Sequence, residues 1–245
     1  MGINLLDCTL RDGGYINDWK FGYRTAKSII QKLVDSNADY VEVGFLRNCS
    51  YDKNATLFNN IAELKKILPR EQKNTKFTVM ALHNKYDITK LEPNDGTVEA
   101  VRVTFHDYDI DEGLEFVKKV MEKGYKCFCN PINIMGYSDQ EILNLIQKIN
   151  QIKPYAFSIV DTFGSMIKSD LLRIYSLLEH NLDKSIVIGL HLHENLSLSY
   201  SLAQEFIGMR NVNRDCVIDG SLMGMGRVPG NLCLELIMDY MNKYD

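Results

Sequence analysis

Two short stretches carry the residue types best suited to chemistry. His191-Leu192-His193 places two of the five histidines two residues apart, at the end of an apolar run of Ile186, Val187, Ile188 and Leu190. Side chains along a strand alternate between faces, so both imidazoles point the same way. Two imidazoles on one face are half of a metal site, or else a hydrogen-bonded pair at a strand end. The second stretch is Arg11-Asp12, inside the polar turn Thr9-Leu10-Arg11-Asp12-Gly13-Gly14-Tyr15. One carboxylate with two imidazoles leaves coordination positions open, which suits a catalytic rather than a structural metal. The neighbouring arginine offers fixed charge and a fork of donors to an oxyanion or carboxylate. Mn²⁺ or Mg²⁺ is the expected ion, with Zn²⁺, Fe²⁺ or Co²⁺ as alternatives; mixed oxygen and nitrogen donors are compatible with all of these, and ligand type alone does not choose among them.

Elements must exist to bring these stretches together. Apolar strand-like runs begin at Ile3, Tyr40, Lys76, Val101, Lys126, Ala156, Ile186 and Cys216. Between them lie helical stripes: Ala26, Ile29, Ile30, Leu33 and Val34; Leu57, Ile61, Leu64 and Leu68; Leu114, Val117, Val120 and Met121; Ile142, Leu145, Ile146 and Ile149. Further helices are expected around residues 171–178, 198–209 and 234–241, whereas the polar segment from His83 to Gly96 has room for a short helix only. Strict alternation argues for a parallel sheet. Eight units in 245 residues with no spare length argue for a closed (β/α)8 TIM barrel in a single domain over residues 1–245. A doubly wound open sheet would want a glycine-rich phosphate loop after its first strand, which is missing.

Composition excludes several classes. The net charge of −4 comes from interspersed acids and bases, with no basic block for nucleic acid. No apolar run approaches the roughly 18 residues of a membrane span, and no signal-peptide pattern opens the chain, so a cytoplasmic protein is expected. Most of the six cysteines sit in apolar strands; Cys127 and Cys129 share a face and read as buried thiols rather than ligands.

In such a barrel the catalytic side chains sit at the C-terminal ends of strands and in the loops beyond. Arg11 and Asp12, Glu42, His106, Asn130 and Asn133, Asp161 and Thr162, His191, His193 and Asn195 all fall there. Ser221 and Asp219 fall there too, where capping or loop satisfaction accounts for them.

At these residues the chain resembles the DRE-TIM metallolyase superfamily, in its 4-hydroxy-2-oxovalerate aldolase, hydroxymethylglutaryl-CoA lyase and Claisen synthase branches. The matching pieces are Thr9-Leu10-Arg11-Asp12-Gly13, Val41-Glu42-Val43-Gly44, Val160-Asp161-Thr162-Phe163-Gly164-Ser165-Met166, His191-Leu192-His193-Glu194-Asn195 and Asp219-Gly220-Ser221-Leu222-Met223-Gly224, leading to Gly230-Asn231. The resemblance implies Asp12, His191 and His193 as metal ligands. It adds Asn231 as a further ligand, a position that reads equally as a helix N-cap. It also implies Arg11 at an enolate oxygen, and Thr162, with Asn133 nearby, against an α-keto acid. Glu42 and His106 become supporting or catalytic groups of the mouth.

Three departures bear on the reaction. Gly14 stands where the Claisen synthases carry Glu. Tyr15 stands where the pyruvate aldolases carry the histidine base, and a phenol serves as a base at neutral pH only with help. Arg227-Val228-Pro229 replace the lyase's cysteine loop. The reading is a metal-dependent aldolase or lyase that takes an α-keto acid and an aldehyde. Its rivals are a Claisen-type acyl-CoA condensation and a metal-binding barrel that has lost catalysis. Barrels often pair, so a homodimer is compatible with the chain, as is its being one domain of a longer protein.

Overall fold

The computed structural model describes residues 2–227 and 229–244. Its strands are β1 (Ile3–Asp7), β2 (Tyr40–Leu46), β3 (Leu57–Phe58), β4 (Lys76–Leu82), β5 (Ala100–Phe105), β6 (Lys126–Pro131), β7 (Ala156–Val160), β8 (Val187–His191) and β9 (Cys216–Gly220). All pair in parallel, and β1 hydrogen-bonds to both β9 and β2, so eight strands close into the expected barrel. The two-residue β3 is added beside β2 at the rim.

Seven α-helices cover the barrel among the described residues: α1 (Tyr23–Asp35), α2 (Ile61–Leu64), α3 (Ile110–Glu122), α4 (Asp139–Ile152), α5 (Lys168–Asn181), α6 (Ser199–Met209) and α7 (Leu234–Tyr244). In α1 the buried positions Ala26, Ile30, Leu33 and Val34 form one stripe. A capping box starts α4: Ser138 Oγ accepts from the Glu141 N–H at 3.3 Å, and the Glu141 carboxylate accepts from the Ser138 N–H at 2.8 Å. The stripe expected from Leu57 to Leu68 is divided. Leu57 belongs to β3, and Asn60 caps the single turn of α2 by accepting from Glu63 N–H at 2.9 Å. Between β4 and β5 only a 3-10 turn, Ile88–Lys90, takes the place of a helix.

Alternation along the strands sorts residues into two cores. Leu5, Val41, Val79, Val101, Val103, Cys127, Cys129, Ile159, Ile188 and Ile218 face outward beneath the helices. Cys127 and Cys129 are there as free, buried thiols. A separate cluster of Leu6, Cys8, Tyr40, Ala100, Phe128, Ala156, Val187 and Val217 plugs the barrel's interior. Two residues further along three of these strands stand Glu42, Arg102 and Asp219, all inward and buried. One strand departs from the period. In β2 the register slips between Glu42 and Phe45, so Glu42 faces Thr78 and Phe45 faces Met80. The extra residue lets Phe45 turn inward with Glu42 despite the odd spacing. Gly44 makes this fit: its φ is +144°, and a Cβ there would lie 2.0 Å from the Thr56 carbonyl oxygen.

Candidate active site

The C-terminal mouth of the barrel holds a cavity of about 350 Å³ whose polar lining includes Arg11, Asp12, Tyr15, His106, Thr162, His191, His193 and Arg227. Its apolar wall includes Phe45, Met80 and Phe163.

Asp12, His191 and His193 meet here. One potential ligand atom from each lies within 4.8 Å of the other two. His191 ends β8, and His193 follows it in an isolated antiparallel bridge to Asn231. Each imidazole has an outer neighbour at Nδ1: Asp219 Oδ2 at 3.0 Å for His191, and the Arg227 carbonyl at 3.2 Å for His193. That arrangement leaves the Nε2 atoms for the site, as metal-ligating histidines require. Asp12 Oδ1 pairs with Arg11 Nη1, while Asp12 Oδ2 is buried without a hydrogen-bond partner, 3.8 Å from His193 Nε2. Asn231 Oδ1 is likewise buried and unpartnered, while its Nδ2 amide donates to the Met225 carbonyl at 3.0 Å. Asn231 is not a helix cap, since α7 begins at Leu234. Two orphaned oxygens beside two imidazoles fit a divalent cation held by mixed oxygen and nitrogen donors.

Charge states agree with that fit. Burial alone would raise the Asp12 carboxyl, but Arg11 and the two imidazoles outweigh it and bring it down to about 2. Burial and the neighbouring imidazole push His193 down to about 4, against the pull of Asp12. An ionised carboxylate and a neutral imidazole are the forms that bind metal.

A buried ionic layer supports this cluster from below. Glu42 Oε2 accepts from Arg11 Nε at 2.7 Å and from Arg102 Nη1 at 3.1 Å, and Arg102 Nη2 pairs with Asp219. Glu42 therefore orients Arg11 from beneath the cavity floor. Burial opposes both arginine charges, and the adjacent carboxylates outweigh it and hold them firmly protonated. Asp219, expected only to satisfy its loop, instead sits between Arg102 and His191. Arg102 was not singled out in the sequence. Its signal is that it shares a strand face with Ala100 and Thr104, which forces it into the barrel.

The other expected residues divide. His106 lines the cavity with Nδ1 3.5 Å from Asp109 Oδ2, and its ring stacks on Tyr108. Thr162 lines it as well, its Oγ1 accepting from the Asn133 N–H at 2.7 Å. Asn133 reaches the site through that backbone bond and is not part of the cavity lining. Tyr15 stands at the rim, 39% exposed, edge-on to Phe45 and Trp19. In the loop that replaces the lyase cysteine, Arg227 lines the cavity and Val228 lies outside the described residues. The loops that carry Thr162 and His193 touch at Gly164, whose φ is +62° and whose carbonyl accepts from Leu196 N–H at 3.0 Å. A Cβ on Gly164 would fall 2.5 Å from the Asn195 nitrogen.

A parallel eight-stranded barrel with a carboxylate–imidazole cluster at its mouth is the architecture of a metal-assisted TIM-barrel enzyme. The HMGL-like family profile matches residues 2–244, and the chain belongs to that family. It is 23% identical over 247 residues to 4-hydroxy-2-oxovalerate aldolase of Geobacillus genomosp. 3, covering 98% of this chain and 71% of that one. The N-terminal domain of a Bacteroides vulgatus protein provisionally assigned as an aldolase superposes with a TM-score of 0.78 and 25% identity, over 98% of this chain and 80% of that one. The HMG-CoA lyase of Bacillus subtilis superposes with a TM-score of 0.74 over 99% of this chain and 85% of that one; at 16% identity it bears on the fold alone. Family and relatives together support carbon–carbon lyase chemistry in general. No helix among the described residues is long and apolar enough to cross a membrane.

Proposed function

We propose that this chain is a divalent-metal-dependent aldolase that cleaves or forms a carbon–carbon bond next to an α-keto acid, with Mn²⁺ or Mg²⁺ held by Asp12, His191, His193 and Asn231. The observation that carries this reading is the convergence of the Asp12, His191 and His193 ligand atoms within 4.8 Å beside a buried arginine. A divalent cation there would supply Lewis-acid polarisation of a keto oxygen. The remaining work falls to side chains. Arg11, locked by Glu42 and Asp12 through Nε and Nη1, presents positive charge where an enolate oxygen develops, and its orientation needs no rearrangement during the reaction. The Thr162 hydroxyl accepts from Asn133 and keeps its own proton for a substrate carboxylate.

Proton transfer at the aldol hydroxyl needs a base in the cavity outside the ligand set. His106 is an imidazole lining the same cavity, backed by Asp109, and imidazole is suited to general-base work near neutrality. We assign it that role, with Tyr15 positioning the substrate at the rim.

The Claisen alternative loses support at Gly14. A Cβ there would lie 2.1 Å from Trp19 Cδ1, and the Trp19 indole N–H donates to the Arg11 carbonyl at 2.7 Å. A glutamate at this position would displace the tryptophan that fixes the catalytic loop.

The test is carbon–carbon cleavage of 4-hydroxy-2-oxo acids, followed as pyruvate release. Activity should vanish on exhaustive chelation and return with Mn²⁺ or Mg²⁺. Activity that persists without metal overturns the reading, and bound metal with no turnover across such substrates favours a barrel that has lost catalysis.

A further inference from the structure

Arg227, in the cavity lining, and Arg47, which stacks on the Phe45 of its wall, have no counter-ion among the described residues. Arg47, just past β2, lays its guanidinium 4.5 Å from the centre of the Phe45 ring, and Arg227 lies 5.3 Å from the centre of the Tyr15 ring. Phe45 and Tyr15 themselves meet edge-to-face with centroids 6.3 Å apart, so the arginines flank one aromatic pair on the cavity wall. Both side chains are partly buried. The buried arginines elsewhere are neutralised: Arg11 by Glu42 and Asp12, Arg102 by Glu42 and Asp219, Arg214 by Glu179. Neither Arg47 nor Arg227 meets a carboxylate among the described residues; Arg227 Nη2 reaches only the Thr162 carbonyl, at 3.5 Å. Desolvation pulls Arg47 below the ordinary arginine range, the mark of a cation held out of water without a partner.

A guanidinium stacked on a ring keeps its in-plane donors free, and that fork matches a carboxylate or a phosphate. Arg11 is already occupied by two carboxylates, so it serves the reacting end of a substrate. Arg227 lines the same cavity as Arg11, and Arg47 stacks on the outer side of its Phe45 wall.

We propose that Arg47 and Arg227 are specificity residues that bind a second anionic group, a carboxylate or phosphate, on the fragment that leaves or joins the enolate. This rests on the α-keto acid reading above, and it makes the acceptor an anionic aldehyde rather than a small neutral one.

The test is calorimetric titration of the Mn²⁺-loaded chain with 2-oxoadipate and 2-oxohexanoate, which share a carbon skeleton and differ in the distal carboxylate. Charge-assisted hydrogen bonds should make 2-oxoadipate bind about tenfold tighter or more. Arg227→Gln and Arg47→Gln should each reduce that preference, and Arg47→Gln, outside the cavity lining, should leave 2-oxohexanoate affinity unchanged, which also reports an intact fold. Competition by inorganic phosphate or by acetate tells which anion the arm prefers, and stronger displacement of 2-oxoadipate than of 2-oxohexanoate by either supports the arm. Equal wild-type affinities for the two keto acids, or a preference that survives both substitutions, overturn it. If neither keto acid binds, the α-keto acid reading itself falls and takes the arm with it.

Discussion

His191 Nδ1 lies 3.0 Å from Asp219 Oδ2, and the same carboxylate oxygen is held by the buried Arg102. An imidazole of the Asp12–His191–His193 cluster is thereby tied to an ion pair in the barrel's centre. Burial opposes the Asp219 charge, but Arg102 and His191 outweigh it and keep the carboxyl below its usual range. Asp219→Asn should lower Mn²⁺ affinity about 10- to 100-fold without removing a ligand, the usual effect of losing a partner behind a ligating histidine. Calorimetric titration of wild type and variant with Mn²⁺ reads this directly.

Arg102 is the common partner of Glu42 and Asp219, and all three are buried. Arg102→Met keeps the side chain's bulk and removes the cation shared by two buried carboxylates, leaving Arg11 beside Glu42 and His191 beside Asp219. The expected loss is roughly 3–5 kcal/mol of unfolding free energy, measured by urea denaturation at neutral pH. A loss under about 1 kcal/mol would show that Arg11 and His191 hold the two carboxylates without the shared cation.

His106 and Tyr15 face one cavity with different proton chemistry. His106→Gln should reduce kcat by about 10²-fold or more, in line with loss of a general base, and leave Mn²⁺ binding intact. Tyr15→Phe should mainly raise KM. The opposite pattern, with kcat collapsing only in Tyr15→Phe, would transfer the base to the tyrosine. Steady-state kinetics of both variants across pH 6–9 decides.

Asp7 provides a pH signature independent of the site. Burial raises its carboxyl to about 7, against the hydrogen bonds from Thr9 N–H at 3.1 Å and Thr9 Oγ1 at 2.7 Å. The folded state therefore holds this proton more tightly than the unfolded chain does. No cost arises below the unfolded carboxylate range near pH 4; stability then falls as pH rises, and the loss is complete once pH exceeds about 7. Asp7→Asn removes the ionisation and keeps an oxygen acceptor. Relative to wild type it should gain on the order of 2–3 kcal/mol between pH 5 and pH 8, measured by urea denaturation at both values.

The barrel was legible because its strands and helices have clean periods, and the convergence of Asp12, His191 and His193 because H-x-H and Arg-Asp fall at strand ends. Leu57 was assigned to a helix because an apolar residue four positions before Ile61 satisfies helical spacing equally well in a two-residue rim strand. Phe45 at the cavity wall was hidden by the bulge at Gly44, which a strict period of two places on the opposite face. The strand period turns Arg102 inward, but its pairing with Glu42 and Asp219 runs across the barrel between β2, β5 and β9, which are not neighbours in the sheet, and a linear pattern holds no such information. Arg47 and Arg227 escaped notice as a pair because they are 180 positions apart and meet only through the Phe45–Tyr15 contact.

Gly164 leaves no side chain between the loop that bears Thr162 and the one that bears His193. The two segments are consequently joined backbone to backbone, and neither can shift without dragging the other. Under the proposed function, an adjustment of the Thr162 loop toward a substrate carboxylate would carry the His193 segment with it. Recognition and coordination would then be geared together at a single residue with no side chain of its own.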